Sequence, residues 1–258
     1  MGLDMYINRR RDGDGFGKKE WDKLFSLLPY EGWKHLNQWT ELAYWRKANM
    51  IHKWFVDNVQ HGNDDCGEYE LTKKDCQKLL KACQSVLAVI RKGKFVPYTY
   101  GKADENFNRK VIRVKASVLK PQKVSDFLIT KTEPPKDGNP GRSWIELDDD
   151  KLDDLTIPAD KKGKDIEYND RLAQTWLLDS KTVAGCKKIL PCESGFFFGS
   201  TLYSNWYLVD ILNTISQIEK VIKVFEEEEA FQKRWKENSG RKGKDKAPRT
   251  VITYSSSW

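Results

Sequence analysis

The chain is poor in the residues that most often carry covalent or metal chemistry. Its 258 residues hold three histidines, three methionines and five cysteines. The cysteines (Cys66, Cys76, Cys83, Cys186, Cys192) are odd in number and form no C-x-x-C, which argues against a disulfide framework and for free thiols in a reducing compartment. No H-E-x-x-H and no pair with zinc-ligand spacing occurs. There is no G-x-S-x-G, no P-loop and no dinucleotide fingerprint, which removes the simplest signatures of three large enzyme classes. No apolar run approaches the roughly 18 residues that span a bilayer. "MGLDMYIN" has no secretory leader, and Tyr6 stands where a myristoylation signal takes Ser or Thr. A cytosolic protein without a membrane partner is expected.

What the chain does hold is aromatic surface and one basic end. Ten Trp, ten Tyr and eleven Phe supply large packing groups, and the formal charge is +7. Between Gln232 and Arg249 eight cations stand against Glu237 and Asp245, so the rest of the protein is near neutral. Such an end reads as a solvated tail or as an electrostatic anchor for nucleic acid or a host protein.

The pattern of elements predicts an α+β fold: a helical core with a short N-terminal strand and a mostly β or irregular insertion. "GLDMYI" reads as the strand, closed by a loop through "NRRRDGDGFGK". Trp21, Leu24, Phe25 and Leu28 have helical spacing, and a second helix is predicted over about 40–59 with Thr40 as its N-cap. Thr72 caps a third, whose stripe is Cys76, Leu79, Leu80, Cys83, Val86, Leu87 and Ile90. "KFVPYTYG", "RKVIRVKASVL" and "DFLITKTEP" read as strands, and "ELDDDKLDDL" as a solvated acidic segment. A long helix is predicted from about Ser204 to Asn238. "TVITYS" reads as an edge strand beside the N-terminal one. These boundaries give one core domain from 1–92 and 184–238, an inserted elaboration over 93–183, and a basic tail over 239–258.

Two stretches carry more polar and aromatic chemistry than packing requires. In "YWRKANMIHKWF" (44–55), Trp45, Arg46, Lys47, Asn49, His52 and Lys53 combine a stacking ring, cations, an amide and a histidine. That is the chemistry of a flat anionic ligand: cations on phosphate, Asn on a base edge, indole on the ring. In "ESGFFFGSTLYSNWY" (193–207), two glycines bracket three phenylalanines, and Ser200, Thr201 and Ser204 offer hydroxyls and N–H groups at a helix start, an anion seat. The plain alternative for both is a packed helix and a buried strand with a Ser cap. "HGNDDCGEYE" offers His61, Asp64, Asp65, Cys66 and Glu68 as ligands for a hard cation, though an acidic turn explains it as well.

"MGLDMYI", "YWRKANMIHKWF", "DDCGEYEL" and "LPCESGFFFGSTLYSNWYL" together resemble a widespread family of small bacteriophage proteins. The four blocks cover about half of the chain and are specific in combination. The resemblance implies a phage origin and action in the cytoplasm of an infected bacterium; it implies no activity. Its motif residues are those over-equipped for packing: Asp4, Tyr6, Trp45, Arg46, Asn49, His52, Glu68, Tyr69 and those around Phe197, Ser200 and Thr201.

The function expected is a phage accessory protein that binds a small, anionic, nucleotide-like ligand, sequestering a host immune signal without turnover. Trp45, Phe197 or Tyr203 would stack, Arg46 and Lys47 would hold phosphates, and Asn49 and Glu68 would read polar edges. Three other readings stay open. One is an enzyme on the same ligand, with His52 as general base and Glu68 or Asp4 as its partner. Another is a nucleic-acid or host-protein module working through the basic tail, and the last is a homo-oligomer in which the motifs hold the fold.

Overall fold

A computed structural model of the chain describes residues 2–12, 22, 23, 26, 39–103, 109–117, 119–135, 141–155, 174–195, 198–238 and 248–258. The fold is α+β, built on small antiparallel sheets. The chain divides into two compact units. The first is Met1–Lys81, Glu193–Gly199 and Ser216–Trp258; the second is Ala82–Cys192 and Ser200–Ile215.

The first unit is organised by a four-stranded antiparallel sheet in the order β2-β1-β10-β3, from β1 (Asp4–Asp12), β2 (Thr40–Arg46), β3 (Tyr69–Glu70) and β10 (Arg249–Ser257). The predicted C-terminal strand does lie beside the N-terminal one. It is central rather than an edge, running antiparallel to β1 from Asp4↔Ser257 to Asp12↔Arg249. Alternation decides which residues face the core: Leu3, Met5 and Ile7 are fully buried, while Asp4 and Tyr6 point to the other face. Helix α1 (Asn49–Asn58) covers the buried face, and its Phe55 ring stacks on Tyr254 at 3.9 Å.

Two local expectations are overturned. The arginines after Ile7 extend β1 instead of forming a loop, because every one of them has a partner residue on β10 and Arg9 finds Glu228 at 3.7 Å. The helix predicted over 40–59 is a strand followed by a shorter helix. Residues Thr40–Arg46 pair with β1, which sends Ala43 and Trp45 inward and Tyr44 and Arg46 outward. Thr40 is therefore a strand residue, and the helix starts behind Ala48 with no side-chain cap. Of the helix predicted around Trp21, Leu24, Phe25 and Leu28, only 22, 23 and 26 fall among the described residues. Helix α2 (Lys73–Ile90) matches its prediction: Thr72 and Asp75 cap each other reciprocally, and its apolar stripe is buried apart from the half-buried Leu80.

The second unit contains a sheet of β5 (Arg109–Arg113), β4 (Lys94–Ala103) and β6 (Gln122–Lys123), with β9 (Gln174–Leu178) also paired to β4. A separate hairpin joins β7 (Leu128–Glu133) to β8 (Arg142–Leu147). Phe95, Phe127 and Trp176 meet edge to face in its core. The acidic segment is not wholly solvated: Asp148 caps a short helix α3 (Asp149–Asp153) that buries Leu152. Asp179 caps helix α4 (Ser180–Lys187) and accepts the Lys94 N–H. The long helix α5 spans Asn205–Asn238, as predicted. This unit begins before and ends after the expected insertion 93–183.

Candidate functional site

The stretch 44–57 changes structure in its middle, and that change sorts its side chains. Trp45, on β2, is 2% exposed and packs against Phe55 with ring centroids 6.1 Å apart. It belongs to the core. On α1, Asn49, His52, Lys53 and Val56 share one stripe at spacings of three and four, and this stripe faces the 193–198 segment. Asn49 is completely buried; its amide nitrogen donates to the Phe198 carbonyl and its oxygen accepts the Glu193 N–H, both at 3.2 Å. The carboxamide thus ties both ends of the segment to the helix. Lys53 adds an ion pair to Glu193 at 3.1 Å and a second to Asp57 at 3.3 Å. The bond to Glu193 and the charge of Asp57 hold the Lys53 ammonium's pKa above its ordinary value.

His52 is 1% exposed and lies between three elements. Its Nδ1 is 2.8 Å from the Tyr254 hydroxyl, on β10. Its Nε2 is 3.1 Å from an Asp64 carboxylate oxygen without making a hydrogen bond to it. The imidazole also meets the edge of Phe198 at 5.0 Å. The other Asp64 oxygen accepts from the Trp258 indole at 3.1 Å. Burial pushes the Tyr254 phenol well above its usual pKa, so its hydroxyl stays protonated beside His52.

These residues surround a cleft of about 620 Å³. His52, Lys53, Val56 and Asp57 form the helix side, Gly62 and Asp64 the turn after it, and Glu193, Ser194, Gly195 and Phe198 the opposing segment. Trp258 completes the wall, 43% exposed and edge-on to Phe198 at 6.4 Å. Three carboxylates face one ammonium and one imidazole. The cleft favours hydrogen-bond donors and disfavours phosphate inside it. Asp57 and Glu193 had no place among the predicted site residues. Only the fold brings them there, since Glu193 lies 140 positions from Lys53 in sequence. Trp258 was not among the predicted site residues either.

The other predicted residues are dispersed. Asp4, Tyr6 and Tyr44 cluster on the sheet's second face: Tyr44 donates to Asp4 at 2.5 Å and its ring lies 5.3 Å from Tyr6. Arg46 stands on β2, its Nε 3.9 Å from Asp4. Glu68 is exposed, and the carboxylate beside His52 is Asp64 instead. Tyr69 donates to Asp65, which the Gly67 N–H and this phenol hold below the usual carboxylate range. Ser200 and Thr201 are exposed in the second unit. Tyr203 is buried in that unit, accepts the Cys192 N–H at 2.9 Å and is pushed by burial to about 12. Phe197 and residues 239–247 of the basic tail lie outside the described residues. Among the described residues no three His, Cys, Asp or Glu side chains gather as a metal site, and no helix is long and apolar enough to cross a membrane. No protein-family model, curated protein or solved structure matches the chain.

Proposed function

We propose that the protein binds a small nucleotide-like molecule in the His52–Trp258 cleft and holds it without turnover. The observation that carries this reading is convergence. Residues between His52 and Asp64, residues 193–195 with Phe198, and Trp258 are far apart in sequence and line one cleft. A flat ring has the exposed face of Trp258 to stack on, and amino or imino N–H groups on its edge have Glu193 and Asp64 as acceptors. The sign of the cleft's charge assigns it the base and not the phosphates. In a phage-derived protein, which the motif resemblance implies, such binding would serve to sequester a host signal.

Isothermal titration with a panel of nucleosides and nucleotides tests the reading. Saturable binding that falls at least tenfold in both Trp258→Ala and Glu193→Gln supports it. No binding by any member, or equal binding by both variants, overturns it. One observation favours hydrolysis instead: the 3.1 Å approach of Asp64 to His52, an arrangement that orients a general base. Against it, both ring nitrogens already face protein groups. Chromatography of bound ligand over time separates the two, since a binder returns it intact.

A further inference from the structure

The strand-to-helix junction holds a second constellation, unlike the cleft in charge. Lys47 sits at φ 59°, a left-handed conformation in which a side chain with a Cβ is strained. Glycine or asparagine is the usual occupant of such a position, yet here the chain places a lysine. Two glycines lie close against it. Gly199, itself at φ 84°, lies so close that a Cβ on it would come within 3.0 Å of the Lys47 Cβ. Gly2 is buried beneath both cations: a Cβ there would stand 3.1 Å from Lys47 Cε and 3.8 Å from two guanidinium nitrogens of Arg46. Two exposed positive side chains are thus drawn over one glycine, although like charges repel.

Among the described residues their neutralisation is incomplete. Lys47 has no ion-pair partner among the described residues. Arg46 has Asp4 at 3.9 Å, and that carboxylate already accepts the Tyr44 hydroxyl at 2.5 Å. We propose that Gly2, Arg46 and Lys47 form a site for a phosphoryl anion, with the guanidinium fork and the ammonium converging on its oxygens. A strained lysine pressed beside an arginine is costly as scaffolding and useful as an anion seat. The inference is independent of the cleft reading; if one molecule fills both places, the junction takes its phosphate.

Thermal melts in inorganic phosphate and in pyrophosphate, against sodium chloride of matched ionic strength, decide it. Wild-type protein is expected to melt several degrees higher in either anion, because a ligand of the native state stabilises it. The rise is expected to vanish in Arg46→Gln and Lys47→Gly and to persist in Trp258→Ala. Lys47→Gly carries its own control: glycine accepts φ 59° without strain, so without phosphate this variant should melt higher than wild type. An anion-induced rise that survives in both junction variants, that chloride reproduces, or that Trp258→Ala removes contradicts the site. So does a short DNA duplex that needs Arg46 and Lys47 when both inorganic anions do nothing.

Discussion

The two ends of the stretch 44–57 use charge in opposite ways. At the helix end every ionic group facing the cleft has a partner: Lys53 has Asp57 and Glu193, and Asp64 has His52 and Trp258. At the junction end Arg46 has a distant, already engaged carboxylate, and Lys47 has no ion-pair partner among the described residues. The helix end also sits on relaxed helical backbone, whereas the junction end rests on a left-handed lysine. A paired, pre-set wall suits recognition of a neutral, donor-bearing ring, because little must reorganise on binding. A weakly paired arginine beside a strained lysine suits an anion that supplies the missing charge. One segment, 193–199, touches both ends: its Glu193 and Phe198 meet α1, and its Gly199 meets Lys47.

That shared segment gives the largest expected effect. Asn49→Ala leaves the Phe198 carbonyl and the Glu193 N–H without their buried partner, at a cost of about 2–4 kcal/mol. Urea denaturation should show that loss, and both the cleft and the junction should lose ligand binding together. Tyr254→Phe removes only the hydroxyl facing His52 Nδ1 and should cost about 1–2 kcal/mol by the same measurement. It should weaken ligand binding in the cleft and leave any phosphate response at the junction intact, which separates the ends. Lys47→Gly reverses the sign: relief of the left-handed strain should stabilise the protein by about 1 kcal/mol. A loss of stability there would mean that Lys47 is scaffolding after all.

The smallest effect concerns the turn next to the cleft. Asp65 is held below its ordinary pKa by the Gly67 N–H and the Tyr69 hydroxyl. Its folded value lies below its unfolded one, so its stabilising contribution is complete above the ordinary carboxylate range. That contribution is lost as the pH falls through the lower folded value. Tyr69→Phe should therefore shrink the acid-side drop in melting temperature below about pH 4 and change little at neutral pH.

The fold was legible wherever local pattern and tertiary structure agree. The stripe from Cys76 to Ile90 and the long helix from Asn205 each have one apolar face over many turns, and such repetition leaves no strand alternative. Residues 40–46 fail that test. "TELAYWR" is too short to separate a period of two from one of 3.6, and only the ladder to β1 makes it a strand. The rotation this causes moves Trp45 into the core and Arg46 to the opposite face, so roles assigned around one helix do not hold. The cleft was half legible. His52, Lys53 and Asp64 were visible as candidates, but Asp57 and Glu193 look like ordinary surface acids until Lys53 joins them. Lys47 was visible as a cation, but not as a strained one, because its conformation depends on tertiary partners such as the Leu3 carbonyl that accepts its N–H.

The most direct test is native mass spectrometry of the protein isolated from cell extract under gentle conditions, beside Trp258→Ala and Lys47→Gly prepared in the same way. A nucleotide-sized mass on the wild type that is lost from Trp258→Ala is the predicted result. An unliganded mass for the wild type, or a ligand that Trp258→Ala retains in full, would contradict the cleft as the binding site.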